Sequence, residues 1–352
     1  MRKLNRYVAR SVAGAIAMVL IVLLSLDFVV SMIDQLGSLR DNYNVYEALI
    51  YVLYSTPGQV YEYMPYATLI GCLVGLGILA GSSELVVMRA AGVSTGRISW
   101  MVLKPVFIFI AAGLLLGEYV TPYTDQVAES RRAIALERQT IQHQQGIWSR
   151  EGDDFLHVNA ILPNGVLYGV TRYRFNEDRE LEQASYSRQA TYMGGHWQEE
   201  SVATTYFDGD RTRTGETLLR RWDTSLTPNL FNIMALPPKG LSISNLFYYT
   251  NFLREQNLDA SDYSLAFWEK ALQPLATASL VLIAISFVFG PLRSVTMGQR
   301  IFTGVVFGIV FRLSQALLGP SSLVFGFPPI LAVLAPIVFC FGLGLYLLKR
   351  AG

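Results

Sequence analysis

GSSELVVMRAAGVSTGRIS, Gly81 to Ser99, is a polar-tipped interruption between two long apolar runs, and it carries its own helix signals. Ser83 is placed to cap a helix whose first turn holds Glu84, and Gly92 is placed to end it. The spacing predicts a helix of about eight residues within 83–92, roughly 12 Å long. Ser94 then offers a second start, capping the apolar run that begins near Ile98. Two readings fit these residues alone: an ordinary connection between helices, or a short handle held between two membrane spans.

Both flanks are long enough to cross a bilayer, whose hydrocarbon core takes about 20 apolar residues. The run before the stretch extends from near Gln59 to Ala80, and the run after it from Ile98 to about Gly117. The whole chain agrees with that reading: 52% of its 352 residues are hydrophobic and only 16% are charged, a balance of an embedded protein rather than a soluble one. A first span covers Ser11 to Ile33. It is too long for a signal-peptide core and no small-residue cleavage site follows it, so it is expected to be retained. Three further spans are expected over Ala271–Phe289, Ile301–Leu318 and Pro328–Leu348. Gly71, Gly75 and Gly77 in the second span predict close helix packing. Lys104 in the first turns of the third can snorkel to headgroups.

From Pro122 to about Ser264 the pattern changes. A charged, helical lead-in, DQVAESRRAIALERQ, gives way to period-two segments: FLHV, VLYGVTRYRF, LEQASYSRQATYM, WQEESVATTYF and TLLRRWDTSL. Turn residues separate them at Pro163-Asn164-Gly165, Asn176-Glu177-Asp178, Gly194-Gly195 and Asp208-Gly209-Asp210. The expected fold is therefore an α-helical membrane protein with six transmembrane helices and an inserted all-β domain, sandwich-like or jellyroll-like. In domains, 1–121 holds the first three spans with the short helix at 83–92, 122–264 the β domain, and 265–352 the last three spans.

Charge location sets the orientation. Arg2, Lys3, Arg6 and Arg10 precede the first span; Arg89 and Arg97, Arg293 and Arg300, and Lys349 and Arg350 fall on the same side of a six-span chain. The opposite short connections carry only Arg40. The positive-inside rule puts both termini in the cytoplasm and the β domain outside. Formal net charge is +1, which argues against a nucleic-acid partner.

Little of the chain reads as catalytic. There is no G-x-x-x-x-G-K-[ST], hence no obvious means of hydrolysing ATP within the chain, and no H-E-x-x-H or C-x-x-C. His143, His157 and His196 lack metal-ligand spacing, and Cys72 and Cys340 sit apart in apolar runs as packing residues. The informative groups are ionisable residues inside or beside the spans. Asp27 lies in the first span and must face protein or water; Arg312 lies near the middle of the fifth and needs a partner. That partner is either Asp27, in a structural pair, or an anionic ligand, which a guanidinium recognises well. Arg131 and Arg132, just beyond the third span, read either as a solvated helix face or as a phosphate-steering patch.

SELVVMRAAGVS (Ser83–Ser94), the DQL at Asp34–Leu36 and FGPLRSVTMGQRIFTG (Phe289–Gly304), on a frame of three spans, a β domain and three spans, make the chain resemble the LptF/LptG permease family. The last motif is closer to the LptG branch. The resemblance implies a permease subunit of the lipopolysaccharide export ABC transporter in the bacterial inner membrane, paired with an LptF-like permease. An LptB-like ATPase dimer would use ATP and Mg, with no cofactor in this chain. LptC and the LptA periplasmic bridge would receive the lipopolysaccharide. It also implies that 83–92 is the coupling helix, with Glu84, Leu85, Met88 and Arg89 meeting the ATPase, and that the first and fifth spans line the cavity and the permease interface. The family can carry a lysine near the outer end of the first span that meets lipid A phosphates. The position aligned by the DQL motif is Ser31, so the phosphate candidates here are Arg132, Arg131, Arg312 and Arg40, with Arg132 first.

The alternatives are an ion-coupled secondary transporter of an envelope lipid, using Asp27 and Arg312 as a relay, and a receptor whose β domain binds an envelope ligand. Co-purification with a P-loop ATPase selects the first reading.

Overall fold

Six runs of apolar residues become six helices long and apolar enough to cross a membrane. The computed structural model of the chain describes residues 2–39, 43–137, 146–151, 154–162, 165–176, 179–209, 211–224, 226–234, 236–255, 259–290 and 295–351. Arg40, His143, Arg293 and the turn residues Pro163, Asn164, Glu177, Asp178 and Asp210, named above, lie outside them. In chain order come α1 (Arg2–Leu36), α2 (Val45–Gly81), the short α3 (Glu84–Ala90) and α4 (Thr95–Leu115). A π turn, Leu116–Val120, joins α4 to α5 (Thr121–Glu137). Six strands follow: β1 (Ile147–Glu151), β2 (Asp154–Ile161), β3 (Leu167–Phe175), β4 (Leu181–Tyr192), β5 (Trp197–Asp208) and β6 (Arg211–Trp222). Then come α6 (Pro228–Met234), a 3-10 turn at Pro238–Gly240, α7 (Ile243–Glu255), α8 (Ser261–Phe289), α9 (Met297–Phe325) and α10 (Pro329–Ala351).

The chain divides into two compact units. One comprises Met1–Val29, Thr56–Val120 and Ser242–Gly352; the other comprises Val30–Ser55 and Thr121–Leu241.

In the helical unit, a close crossing of α1 and α2 rests on glycine. A Cβ on Gly71 would stand 2.5 Å from Ile16 Cα, and one on Gly75 would stand 2.9 Å from Val12 Cα. Those two glycines, four apart, lie on one helix face and let the backbones meet where Val8, Val12 and Ile16 are buried. The same apolar cluster takes in Leu69, Leu73 and Leu76 from α2, Leu85 and Met88 from α3, and Leu280, Ile283 and Ile285 from α8. Cys72 and Cys340 are unpaired and buried, in keeping with packing roles. At the end of α4 a Cβ on Gly117 would stand 2.7 Å from the Tyr61 ring. The ring occupies that space, and the helix passes it with a π turn.

The connection expected from Asp34 to Pro57 is shorter than the sequence indicates, because α2 begins at Val45 and runs through Pro57 and Pro65. Its first turns are held by α5: Tyr51 donates to Glu129 at 2.9 Å, and the Arg132 guanidinium lies over the Tyr51 ring at 5.2 Å. Tertiary contacts thus make helix of residues whose polarity reads as loop. The third span likewise does not end at Gly117 but continues through the π turn into α5.

In the second unit the inserted antiparallel β domain is present, and its strands pair in chain order, β1 to β6, as one up-and-down sheet. Gly194, Gly195 and Gly209 turn the hairpins at positive φ (75°, 146° and 58°). One sheet face packs Leu156, Val158, Val170, Ala190, Trp197 and Trp222 against Leu226 and Phe231. Beside this core lies a buried ionic group. Glu199, fully buried, accepts from Arg220 Nε at 2.7 Å and lies 3.7 Å from Arg172 Nε, while Arg220 also donates to Ser185 Oγ at 2.8 Å. Buried charge is tolerated here because it is paired.

Two titrating groups give the sheet a pH dependence. The Asp154 carboxyl is held below its usual range by the Arg174 guanidinium, which donates to it from Nε at 2.9 Å. The His157 imidazole is pushed below its usual value by burial, with Nε2 buried and without a hydrogen-bond partner among the described residues. The unfolded chain therefore binds more protons than the folded one as pH falls through the free histidine value near 6.5, so stability drops there. A second loss begins below the free aspartate value near 3.9, where Asp154 must protonate.

Two outcomes follow. Gly71→Ala should lower the unfolding midpoint of the detergent-solubilised protein by the equivalent of about 1–3 kcal/mol of overpacking, whereas Gly14→Ala, with nothing within 4 Å of its Cβ, should not. Hydrogen exchange, corrected for intrinsic rates, should show β2 less protected at pH 5.5 than at pH 7.5, and His157→Phe should abolish most of that difference.

Candidate functional site

Three clusters hold the residues that the sequence singles out. The first is α3. Its C-terminal end is closed by backbone: Val93 N–H donates to Met88 O at 3.0 Å and Gly92 N–H to Arg89 O at 3.0 Å, with Gly92 at φ 82°. This is the Schellman arrangement that a glycine in the left-handed region permits. Val93 and Met88, the flanking pair, are both buried. Ser94 caps the next helix as expected, accepting from Arg97 N–H at 3.4 Å.

The N-terminal end differs from expectation. Ser83 makes no side-chain cap, because its own backbone is left-handed (φ 61°) rather than extended. Its neighbour Ser82 instead donates from Oγ to Glu84 Oε1 at 2.9 Å, and Tyr7 donates from its hydroxyl to the same oxygen at 3.1 Å. Glu84 is thereby fixed at the first turn, where its charge suits the helix dipole. Leu85 and Met88 face the opposite way from the role given them above: both are buried in the chain's own apolar cluster. The apolar side chains that α3 leaves exposed are Val86, at 52%, and Val87, at 66%, and Arg89 is partly exposed beside them.

Gly92-Val93-Ser94-Thr95-Gly96 also spells G-x-S-x-G. A nucleophile elbow needs a strand before the serine and a free Oγ, whereas here α3 precedes it and the Ser94 hydroxyl caps α4. The pattern is a helix junction.

The neighbouring end of α9 is tied to the end of α2. Thr296 and Gln299 form a reciprocal capping box, and buried Arg300 donates from Nη1 to Gly77 O at 2.8 Å, in the last turn of α2. A cation at a helix C-terminus complements its dipole.

The second cluster lies among the spans. Arg312, half-exposed near the middle of α9, pairs with Glu62 of α2 at 2.8 Å, and its guanidinium lies 6.0 Å from the Tyr66 ring centre. Tyr63, next to Glu62, donates to Asp27 Oδ1 at 2.6 Å. The ion pair given to Arg312 is thus with Glu62 rather than with Asp27, which stands one link further along. Glu62 was visible as a charge within the second span, and the reason that drew attention to Asp27 applies to it equally. With one arginine and two carboxylates the cluster carries a formal charge of −1. An incoming phosphate would have to displace Glu62, which weakens the phosphate reading of Arg312.

The third cluster is on α5 and the start of α2. Arg131 lies 3.9 Å from Glu47 and is half-exposed, a weak surface pair. Arg132 lies over Tyr51, no carboxylate pairs with it among the described residues, and its Nε is buried without a hydrogen-bond partner. A partly buried guanidinium with a donor unmet is suited to an anion. Of the described phosphate candidates, Arg132 alone combines these features, and Arg40 lies outside the described residues. Among the described residues no group of three or more His, Cys, Asp or Glu is gathered to hold a metal.

Comparison with known proteins agrees with the resemblance carried by the motifs. The family model for the lipopolysaccharide export system permease LptF/LptG matches residues 6–350. The chain is 37% identical over 352 residues to the lipopolysaccharide export system permease protein LptG of Escherichia coli K12, covering 99% of this chain and 98% of that protein. It is 34% identical over 351 residues to the protein of the same name from Haemophilus influenzae, with the same coverage. A match that spans α1 to α10 and takes in α3, both charged clusters and the whole sheet makes the chain a member of the LptF/LptG family of lipopolysaccharide export permeases.

Proposed function

We propose that the chain is the LptG-type permease subunit of an ABC exporter that extracts lipopolysaccharide from the inner membrane and passes it to a periplasmic bridge. Full-length similarity to two export permeases carries this reading. With no P-loop in the sequence, ATP and Mg belong to a partner ATPase dimer of the LptB kind. An LptF-like permease, LptC and the LptA bridge complete the assembly. The termini lie in the cytoplasm and the β domain in the periplasm, on the strength of the basic residues that flank α1, α3 and α9.

Within this reading α3 is the element that docks on the ATPase. Its inward face, Leu85 and Met88, anchors it to the helical core, where burial of two such side chains is worth about 1.5–3 kcal/mol each. Its outward face offers Val86, Val87, Glu84 and Arg89. Val86 and Val87, side by side between Glu84 and Arg89, give that face an apolar strip that a groove on a partner would cover. The apolar faces of α1 (Met18, Ile21, Leu26, Val29, Ile33) and α9 (Phe302, Ile309, Leu313, Leu317), all exposed, meet acyl chains or the second permease. Arg132 is the first choice for a lipid A phosphate, with Arg131 beside it. Arg312 is a structural partner of Glu62, and Ser31 leaves the outer end of α1 without a basic residue of its own.

Reconstitution tests this. Chain, partner permease and ATPase in vesicles loaded with lipopolysaccharide should release it to a soluble bridge protein only when ATP is hydrolysed; transport by the lone chain down a proton gradient would instead support the ion-coupled alternative. In that system Glu84→Ala should reduce docking or release by more than the ~0.3–1 kcal/mol of a helix-dipole interaction, about tenfold or greater. Normal assembly and normal release would remove Glu84 from the coupling surface. Arg132→Glu should abolish most release while leaving the complex intact, and Arg131→Glu should reduce it less. Equal release by wild type and Arg132→Glu would exclude the phosphate role.

A further inference from the structure

We propose that Tyr7 is a positioning residue for Glu84, tying the short helix α3 to α1 through one hydroxyl. The inference rests on the docking role proposed for α3 and adds the route by which its movement reaches a span. Tyr7 Oη donates to Glu84 Oε1 at 3.1 Å, from the second turn of α1. Ser82 Oγ donates to the same oxygen at 2.9 Å, but that bond stays within the turn leading into α3. Both bonds end on Oε1, and Oε2 carries none among the described residues. The carboxylate therefore has one oxygen fixed by α1 and the turn, and one left for a further donor.

The position of the Tyr7 ring is set by its neighbour. Val8 is fully buried in the apolar cluster that also holds Leu85 and Met88, so the first turns of α1 and the inner face of α3 share one core. Further along, α1 is held to α2 at Val12 and Ile16 by the close approach of Gly71 and Gly75. Beyond Ile16 none of its side chains is buried, and α1 is the least buried of the six spans. Past that grip α1 is tied to α2 once more, where Tyr63 donates to Asp27 at 2.6 Å, so a shift of its first turns is passed along the span. The α3 segment itself is bounded by two left-handed residues, Ser83 and Gly92, which fix it as a small rigid body between α2 and α4. A hydrogen bond to a charged acceptor is stronger than a neutral one, and here it joins that body to the first turns of α1.

Phenylalanine at position 7 keeps the ring and removes only the donor. In the reconstituted complex, wild type, Tyr7→Phe, Glu84→Ala and the double variant are compared for assembly, ATP hydrolysis and lipopolysaccharide released per ATP. Tyr7→Phe is expected to assemble and hydrolyse ATP as wild type does, but to release at least threefold less per ATP. The double variant should be no worse than Glu84→Ala, since the hydroxyl acts through that carboxylate. Glu84→Gln, which keeps the side-chain length and a neutral acceptor, is the second variant: it should lose less yield than Glu84→Ala and shrink the effect of Tyr7→Phe. Wild-type yield per ATP in Tyr7→Phe, or losses that multiply in the double variant, would overturn the proposal. Failure of the underlying reading looks different: Glu84→Ala would then dock, hydrolyse and release normally.

Discussion

A seven-residue helix cannot hold itself together, and α3 persists because its surroundings close it on three sides. Starting a helix fixes several residues for each hydrogen bond gained, and so short a piece never recovers that cost alone. Here the Schellman bonds at Gly92 satisfy the last carbonyls, Ser82 and Tyr7 hold Glu84 at the first turn, and Leu85 and Met88 are buried below. With the inner side occupied, the outer side is left to Val86, Val87 and Arg89. The conformation of two connecting residues, Ser83 and Gly92, thus decides which side chains α3 shows to the outside.

The same economy governs charge among the spans. Three ionisable groups that the sequence places in the spans find partners from another helix: Arg312 takes Glu62, Asp27 takes Tyr63, and Arg300 takes the Gly77 carbonyl. These links join α1, α2 and α9 at two levels, since Asp27 and Arg312 lie near mid-helix while Arg300 lies at a helix end. In a medium that does not solvate charge, such pairs fix which helices are neighbours. Arg132 stands apart, stacked on Tyr51 with a donor unmet, which is why it rather than Arg312 is the candidate for an anionic ligand.

The parts legible in the sequence were those decided locally. Gly92 as a helix end and Ser94 as the next cap depend on residues within one turn, and both stand. The six apolar runs and the period-two segments are likewise patterns of near neighbours. Ser83 failed as a cap because a backbone angle, invisible in composition, turned its hydroxyl away. Leu85 and Met88 were correctly read as one apolar face, but which side that face meets depends on Val8 and the rest of the cluster, far away in sequence. Glu62 and Arg312 are joined across 250 residues. Glu199 shares strand parity with Trp197 and so belonged to the inner face, but its acceptance there depended on Arg220 and Arg172 from two other strands. The order of strands in the sheet was beyond reach for a related reason: alternation shows which face a residue takes and not which strand lies beside it.

Photocrosslinking from α3 tests the central claim most directly. A photoreactive residue at Val86 or Val87, in cells that express the whole export complex, should crosslink to a P-loop ATPase subunit, while the same residue at Val324, exposed at the far end of α9, should not. Absence of an ATPase adduct from both α3 positions in an assembled complex, or equal labelling from Val324, would contradict the assignment of α3 as the docking element.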